Sequence, residues 1–533
     1  MVSSEQPSRS LANIASIVAI ATLISKVFGL VREQVIAAAF GVGPVINAYA
    51  YAYVIPGFLL ILLGGINGPF HSALISVLAK RQQSEAAPLV EAVTTLVSLI
   101  LLFVAVLIFV FAGTCIDLLA PGLETNVRAI AILQLQIMAP LAVLAGLIGI
   151  GFGTLNASEQ YWLPSISPLF SSLTIVLGVG LLLLLHGEAL ATPQYVGFGS
   201  MVLAWTTLQG GILQWLAQLF AQWQSGMGRL RLRFNWNIPG VQDVLKVMIP
   251  ATLASGMLHI NVYTDLFFAS FITGAAAAMR YANFIVLTPL GIISNMILVP
   301  FMPVFSRLAA PENWQELKLR IRQGLLLSAL TMLPLTAIFI SLSLPIIRVI
   351  YERFAFQAEA SQLVAPVLMA YGFGMFFYLG RDILVRVFYA LGDGETPFRI
   401  SIGNILLNGV LDYLLVNQFA TPGLVFATIG VNIISMGLML WILNHKLDGL
   451  PLVEWGLALL GLIGSSFVAG LSSYAASQLW ENFLGSGNLF LVLLQLILSI
   501  SIAMIVFTAL VFQLKLPEME MLTLRLQQKF LRR

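Results

Sequence analysis

The sequence is poor in the residues from which metal and redox sites are built. Its 533 residues include one cysteine, Cys115, and four histidines, at positions 71, 186, 259 and 445. A single cysteine excludes an internal disulfide and a thiolate metal cluster, and the scattered histidines lack zinc-site spacing. The sequence also contains no Walker loop, no G-x-S-x-G elbow and no HExxH helix. We therefore expect no enzyme and no cofactor other than an ion, and a transport process would draw on a gradient or membrane potential.

Charged residues are scarce as well. They make up 9% of the chain, whereas hydrophobic residues make up 59%; an ordinary soluble domain has about 25% charged residues. The net charge of +3 is too small to indicate a nucleic-acid partner. At about 20 apolar residues per span, the chain is predicted to be an all-α polytopic membrane protein of about fourteen transmembrane helices.

Lysine and arginine are concentrated in alternate loops, as expected of loops on the cytoplasmic side. With the N-terminus inside, only Arg128, Arg348 and Arg353 fall in outer loops. We therefore expect both termini to be cytoplasmic. The inside loops and the tail hold Lys80, Arg81, Arg229, Arg231, Arg233, Arg307, Lys318, Arg320, Arg322, Lys446, Lys515, Arg525, Lys529, Arg532 and Arg533.

Two stretches of the chain resemble each other. Residues 21–79 and 251–309 both begin with ATL, pass through a glycine-bearing turn, and continue to a Pro-Phe pair. An even number of spans separates them, which predicts a parallel repeat about an axis along the membrane normal. The expected domains are two six-helix lobes, 1–225 and 226–447, followed by a two-helix extension, 448–533. The alternative is chance similarity among apolar segments.

One acid lies deep in an apolar segment: Asp412, in FRISIGNILLNGVLDYLLV. A carboxylate there costs roughly 2.5 to 3.5 kcal/mol, so it should face protein or water. Asn408 lies four residues earlier on the same helical face, and Thr428 of the next span reaches a similar depth. Asp265, in HINVYTDLFFASF, adds a second acid. These oxygens predict a cation or proton site; the alternative is a buried hydrogen-bond network that holds the helices together.

A second set of candidates consists of basic side chains within or at the ends of apolar spans, where a cleft for an anionic substrate would use them. Each also has a structural alternative. The first-span arginine has an adjacent acid, Glu33, with which it would pair. A residue at a span end can extend to the outer headgroups, and the one in span 10 has Asp382 beside it. The candidates are Lys26, Arg32, Arg280 and Arg381.

Several motifs, in this order and spacing, resemble one known family: LISKVFGLVREQVIAAAFG, DLLAPGLE, LNASEQYWLPSISPLFSSL, RLRFNWNIPGVQDVLKVMIP, YERFAFQAEAS and FYALGDGETPFRISI. From Ala15 to Lys446 the chain is similar to the MurJ/MviN lipid II flippases of the multidrug/oligosaccharidyl-lipid/polysaccharide exporter superfamily. The resemblance implies two lobes around a cationic cavity, with the last two helices adding a groove for a lipid tail. It further implies that an undecaprenyl-pyrophosphate-linked precursor crosses the bacterial inner membrane by alternating access, driven by membrane potential or sodium.

The same resemblance assigns roles to individual positions. Lys26 and Arg32 match two basic cavity residues of the first helix, and Asp265, Asn408, Asp412 and Thr428 match the residues of a sodium site. The chain departs from the family in three places. The run PGFLLILLGGIN lacks the basic residues of the second helix, Asn47 replaces an aspartate, and Asn283-Phe284 replaces an Asp-Arg pair. Arg280, one turn before Phe284, is the expected substitute for the lost cation.

Other functions on the same fold remain open, because a fold does not determine its substrate. One alternative is an exporter of another polysaccharide-linked lipid or a cation-coupled drug antiporter. Another is a non-transporting membrane scaffold that binds lipid-linked precursor or cell-wall synthesis proteins. Cationic drugs would require acids in the first lobe, whereas a pyrophosphate requires bases. Lys26 and Arg32 favour the pyrophosphate.

Overall fold

The computed structural model describes residues 11–64, 69–78, 83–234, 238, 240–246, 248, 252, 260–485, 487–515 and 517. Within these residues the chain is helical apart from turns, loops and one isolated bridge, between Arg353 and Phe356. The all-α membrane fold is therefore confirmed. Eleven helices are long and apolar enough to cross a membrane, or twelve if a bent pair counts as one span. The expected number of about fourteen is not confirmed in this part of the chain, and much of the expected span 243–273 lies outside it.

The chain divides into two compact units, which we describe separately. The first comprises Met1–Ala277 and Arg353–Phe356. A 3-10 turn, Gly187–Ala191, follows its ninth helix. The helices are α1 (Leu11–Phe40), α2 (Pro44–Gly64), α3 (Pro69–Leu78), α4 (Gln83–Val110), α5 (Ala112–Leu119), α6 (Thr125–Met138), α7 (Leu141–Ala157), α8 (Trp162–Ile166), α9 (Pro168–His186), α10 (Pro193–Gln224) and α11 (Ile260–Ala269).

The second unit comprises Ala278–Glu352 and Gln357–Arg533. Its first helix begins just before the boundary, and the 3-10 turn Pro311–Asn313 follows that helix. The helices are α12 (Ala275–Arg307), α13 (Trp314–Ser341), α14 (Ser343–Tyr351), α15 (Ala358–Ala390), α16 (Glu395–Phe419), α17 (Thr421–Lys446), α18 (Leu452–Leu484) and α19 (Leu489–Gln513).

Helix α7 lies at the centre of the first unit because its sequence, LAVLAGLIGIGFGTLNA, is rich in glycine. A Cβ atom on Gly149 would lie 2.0 Å from the carbonyl oxygen of Leu63 on α2, so no larger residue fits there. Small residues let membrane helices approach closely. The chain bends by 42° between α6 and α7, where Pro140 interrupts the helical hydrogen bonding. This close packing forms the core on which the rest of the first unit is built.

In the second unit, the last two helices pack against the preceding ones rather than standing apart. The hydroxyl of Ser466 on α18 donates to the carbonyl oxygen of Leu333 on α13 at 2.6 Å.

Outside the spans, Asp393 accepts hydrogen bonds from the Lys446 ammonium at 2.6 Å and from the Thr396 amide at 3.0 Å. Burial by itself would raise the pKa of the Asp393 carboxyl, but these hydrogen bonds outweigh burial and lower it.

The boundary between the units falls at Ala277, later than the expected lobe boundary at 225/226. The physical reason is that several described residues between these two positions pack on the first unit. Val241 and Val244 are buried in a core with Leu89 of α4, and the amide of Gly122 donates to the Ser270 hydroxyl at 3.0 Å. The units follow packing, whereas the lobes 1–225 and 226–447 and the extension 448–533 follow the sequence repeat. The lobes therefore remain a prediction.

Candidate functional site

A polar stripe runs along one face of α16. The residues of this helix that are buried are Pro397, Asn404, Asn408 and Asp412. The last three are four residues apart, so they lie above one another on a single face. The remainder of the helix exposes large apolar side chains such as Leu406 and Val410. A helix of this kind turns its polar face toward protein and its apolar face toward lipid.

The stripe meets α17 because the two helices are joined by a single residue. Helix α16 ends at Phe419 and α17 begins at Thr421, and the connecting residue Ala420 has a φ of 51°. So short a connection makes the helices antiparallel neighbours. Residues at equal distances from Ala420 therefore lie at similar depth, as the sequence predicts for Asp412 and Thr428.

Three of the four residues expected to bind a cation are in contact. The Asn408 amide nitrogen donates to Asp412 Oδ2 at 2.9 Å, and the Thr428 hydroxyl donates to Asn408 Oδ1 at 3.4 Å. Asn408 and Asp412 are fully buried. The amide of Asn408 therefore links the carboxylate of its own helix to a hydroxyl of the next.

The polar contacts extend beyond the expected residues. The Asn432 amide nitrogen donates to the Thr428 carbonyl oxygen at 2.7 Å, and that of Asn404 donates to the Ser435 hydroxyl at 3.3 Å. Sequence reasoning missed these three side chains. The spacing could have indicated Asn404, because this residue precedes Asn408 by the same four-residue interval that separates Asn408 from Asp412.

The fourth expected cation ligand, Asp265, lies on α11 of the first unit and is half-buried. Asn408, Asp412 and Thr428 belong to the second unit.

Carboxylate, amide and hydroxyl oxygens are the ligands preferred by hard cations. In the described residues, no group of three His, Cys, Asp or Glu side chains is placed to hold a metal ion. One buried carboxylate among neutral oxygens therefore fits a monovalent cation such as sodium better than a transition metal.

The expected basic residues of the first helix occupy different environments. Arg32 donates through Nε and Nη2 to Glu33 Oε1, at 3.1 and 2.8 Å. Glu33 is 1% exposed, whereas Arg32 is 23% exposed. Lys26 is half-buried on the same helix, about 120° around the helix axis from Arg32. The structural alternative, an Arg32–Glu33 pair, is therefore present, and the guanidinium still reaches the surface.

The other two basic candidates lie in the second unit and are half-buried, Arg280 on α12 and Arg381 on α15. The Nε of Arg381 is buried and has no hydrogen-bond acceptor among the described residues. Burying a donor of this kind costs free energy unless a ligand or a water molecule accepts a hydrogen bond from it. The buried Nε of Arg381 is therefore a donor that an anionic ligand would satisfy.

An apolar cavity of about 520 Å³ lies within the second unit, between α13, α15 and α18. Aromatic rings form much of its wall, and its few polar groups are hydroxyls. This chemistry suits a hydrocarbon chain. The lining includes Thr336, Ile340, Phe373, Phe377, Phe467 and Tyr474.

Comparison with known sequences gives a consistent result. The model of the family described as "Lipid II flippase MurJ" matches residues 36–495. A protein of Synechocystis sp. named "Probable lipid II flippase MurJ" is 63% identical over 532 residues, covering 100% of both chains. The "Lipid II flippase MurJ" of Burkholderia cenocepacia is 28% identical over 471 residues, covering 85% of this chain and 88% of that one.

Solved structures show the same fold at lower sequence identity. "Lipid II flippase MurJ, inward closed conformation" superposes with a TM-score of 0.73 at 23% identity, covering 94% of this chain and 99% of that one. An inward-facing multidrug resistance MATE family transporter of the MOP superfamily gives a TM-score of 0.64 at 16% identity, covering 81% and 98%.

Proposed function

Because the chain belongs to the lipid II flippase MurJ family, we propose that it moves lipid II, an undecaprenyl-pyrophosphate-linked peptidoglycan precursor, from the cytoplasmic to the outer leaflet of the bacterial inner membrane. The observation that carries this proposal is the whole-length identity to the Synechocystis protein. The many apolar helices are consistent with a multi-pass inner-membrane protein. The work is transport by alternating access, without catalytic chemistry.

The headgroup would be held by Lys26, Arg32, Arg280 and Arg381. A pyrophosphate needs several donors in a cleft of low dielectric, and the forked guanidinium group is better suited to it than an ammonium group. The buried Nε of Arg381 supports this assignment. The apolar second helix run and Asn283-Phe284 supply no basic residue, so the remaining cations must bind more of the headgroup's charge.

The lipid tail would lie along the second unit. The cavity between α13, α15 and α18 supports this role because it is apolar and lies next to α18, one of the two C-terminal helices. A hydrocarbon chain that enters this cavity from water gains free energy by burying apolar surface. A chain that enters it from the bilayer exchanges one set of apolar contacts for another. The tail thus stays in an apolar environment while the headgroup crosses.

Transport would be driven by membrane potential or by sodium bound at Asp265, Asn408, Asp412 and Thr428. A bound cation supplies positive charge beside the buried carboxylate. The contacts among three of the four residues support the site. Asn408 orients Asp412, and Thr428 orients Asn408, so the three oxygen-bearing groups are held together before an ion arrives. Both chain termini would be cytoplasmic, as the distribution of basic residues predicts.

The test is complementation of a bacterium depleted of its own lipid II flippase. We expect growth to be restored and labelled lipid II to become accessible at the outer surface. Purified protein in liposomes should then move the labelled headgroup across the bilayer. A protein that reaches wild-type levels in the membrane but moves no headgroup in either assay would contradict transport and favour a scaffold for cell-wall synthesis proteins.

A further inference from the structure

The segment that follows α10, residues 225–234, contains alternating basic and apolar side chains, and we call it the linker segment. Its sequence is SGMGRLRLRF. The chain reverses here, with Gly228 at a φ of 116°, which non-glycine residues rarely adopt. A Cβ on that glycine would already contact Val90 of α4 at 3.4 Å. The linker segment therefore begins in close contact with the first turns of α4.

Two polar residues of α4 then hold the linker segment in place. The buried Glu91 accepts the backbone N–H of Arg229 at Oε1, at 3.1 Å, and the Nε of Arg233 at Oε2, at 2.6 Å. One helical turn later, the Thr95 hydroxyl accepts the backbone N–H of Arg233 at 3.0 Å. Charge-assisted bonds to a buried carboxylate are among the strongest in proteins. The linker segment is thus anchored rather than a free loop.

Met227 of the anchored linker segment is buried in the core, whereas the apolar side chains that follow it point outward. Leu230, Leu232 and Phe234 are 67%, 76% and 63% exposed, and the intervening Arg231 is also exposed. The guanidinium carbon of Arg229 lies 5.9 Å from the ring centroid of the exposed Trp223. We call this set the linker surface; its members are Trp223, Arg229, Leu230, Arg231, Leu232 and Phe234.

The linker surface lies near the ends of two spans that have exposed apolar side chains. Phe220 and Leu216 on α10 and Ile100 and Phe103 on α4 are exposed apolar side chains of membrane-spanning helices. The linker segment lies where α10 ends and α4 begins, a side that the basic loops predict to be cytoplasmic. Tryptophan and arginine next to such apolar rows are typical of the membrane interface. A lipid monolayer therefore fits this position better than a soluble protein partner.

We propose that the linker surface binds the phosphate headgroups of anionic lipids in the cytoplasmic leaflet. Leu230, Leu232 and Phe234 enter the boundary of the acyl chains, while Arg229 and Arg231 contact the phosphates. Each basic residue near an anionic leaflet contributes about 1 kcal/mol, or roughly a fivefold change in affinity. This surface does not involve the residues assigned to cargo or cation, so it holds whichever lipid-linked substrate the protein carries.

The test is a binding titration of the purified full-length protein in detergent by native mass spectrometry. The probes are phosphatidylglycerol and phosphatidylcholine with identical acyl chains. We expect wild-type protein to bind phosphatidylglycerol more tightly than phosphatidylcholine. In the R229Q/R231Q variant, the ratio of the two affinities should fall about fivefold for each arginine removed. R229K/R231K should keep most of it. Millimolar inorganic phosphate should not compete, because it brings no acyl chain for the apolar residues.

A matched control is R320Q/R399Q, which removes the half-buried Arg320 and the exposed Arg399; these arginines pair with Glu316 and Glu395 on their own helices. This variant should keep the preference for phosphatidylglycerol. An unchanged preference in R229Q/R231Q, an equal loss in the control, or effective competition by inorganic phosphate would each overturn the proposal. A common melting temperature for all variants establishes that the comparison is between folded proteins.

Discussion

Helices α1 and α16 each bury an acid, Glu33 and Asp412, and they stabilise it in different ways. On α1, Glu33 accepts two hydrogen bonds from the guanidinium of the adjacent Arg32. On α16, Asp412 accepts the amide of Asn408, whose oxygen in turn accepts the Thr428 hydroxyl of α17. An arginine neutralises the acid it orients, whereas an amide orients an acid without opposing its charge. An arginine held in place by an acid suits the binding of an anionic ligand. A carboxylate held in place by an amide keeps its negative charge and suits the binding of an exchangeable cation.

The largest effect is expected where the first arrangement is broken. Arg32→Ala removes the guanidinium proposed to bind pyrophosphate and also removes an ion-pair partner of Glu33. We expect this variant to lose all ability to sustain a flippase-depleted bacterium, measured as growth at equal protein level.

The double variant Arg32→Ala/Glu33→Gln separates the two roles of Arg32. If the arginine only neutralises the buried acid, removing that acid's charge should restore growth. If it binds the cargo, the double variant stays inactive. Restored growth would contradict the assignment of Arg32 to the pyrophosphate.

The next largest effect concerns the second arrangement. Asp412→Asn keeps the size of the side chain and removes its charge, so the helices should fold while the response to sodium becomes much weaker. Hydrogen bonds to charged groups contribute about 1.5 to 3 kcal/mol, which predicts at least a tenfold weaker response to sodium. Headgroup movement in liposomes with and without a sodium gradient measures it. Asn417→Ala, an exposed amide on the same helix, is the control; an unchanged sodium response in Asp412→Asn would make the residue structural.

A smaller effect should follow from loss of the hydroxyl that orients Asn408. Thr428→Val keeps the shape and removes a neutral hydrogen bond of about 0.5 to 1.5 kcal/mol, so the sodium concentration for half-maximal transport should rise roughly two- to thirteenfold. Thr428→Ser retains the hydroxyl and should behave as the wild type. Equal defects in both variants would indicate a packing role for the methyl group instead.

The smallest effect is expected for Asp393, which lies outside the membrane spans and pairs with Lys446. The pKa of Asp393 is lowered in the folded protein, so its contribution to stability is present above the unfolded pKa, near 3.9, and is lost as pH falls through the folded pKa. Asp393→Asn should cost less than about 1 kcal/mol at neutral pH. The melting temperatures of variant and wild type should converge at low pH, and a constant difference from pH 3 to 7 would contradict the ion pair.

The contrast between the helices also shows what the sequence could predict. The helical spacing of Asn408 and Asp412 and their distance from the α16–α17 turn were enough to predict that they meet Thr428, because all three depend on one hairpin. The motifs were enough to identify the family, which the comparisons confirm. Asn432 and Ser435 were missed because a helical pattern alone does not separate a polar side chain facing a neighbouring helix from one facing elsewhere.

Contacts between distant parts of the chain were beyond sequence reasoning. Glu91 and Arg233 are separated by 142 positions, and neither the composition nor the periodicity of the two segments indicates that they pair. The same limitation explains why Val241, Val244, Met248 and Ser270 pack on the first unit although the repeat placed them in the second lobe. Periodicity predicts which face of a helix is buried but not which partner covers it.

The one-residue turn at Ala420 has a mechanical consequence. Two helices joined by a single residue are held side by side, so Asn408, Asp412 and Thr428 meet without a long connecting loop. The hydrogen bonds that join these three side chains are therefore formed within a single hairpin.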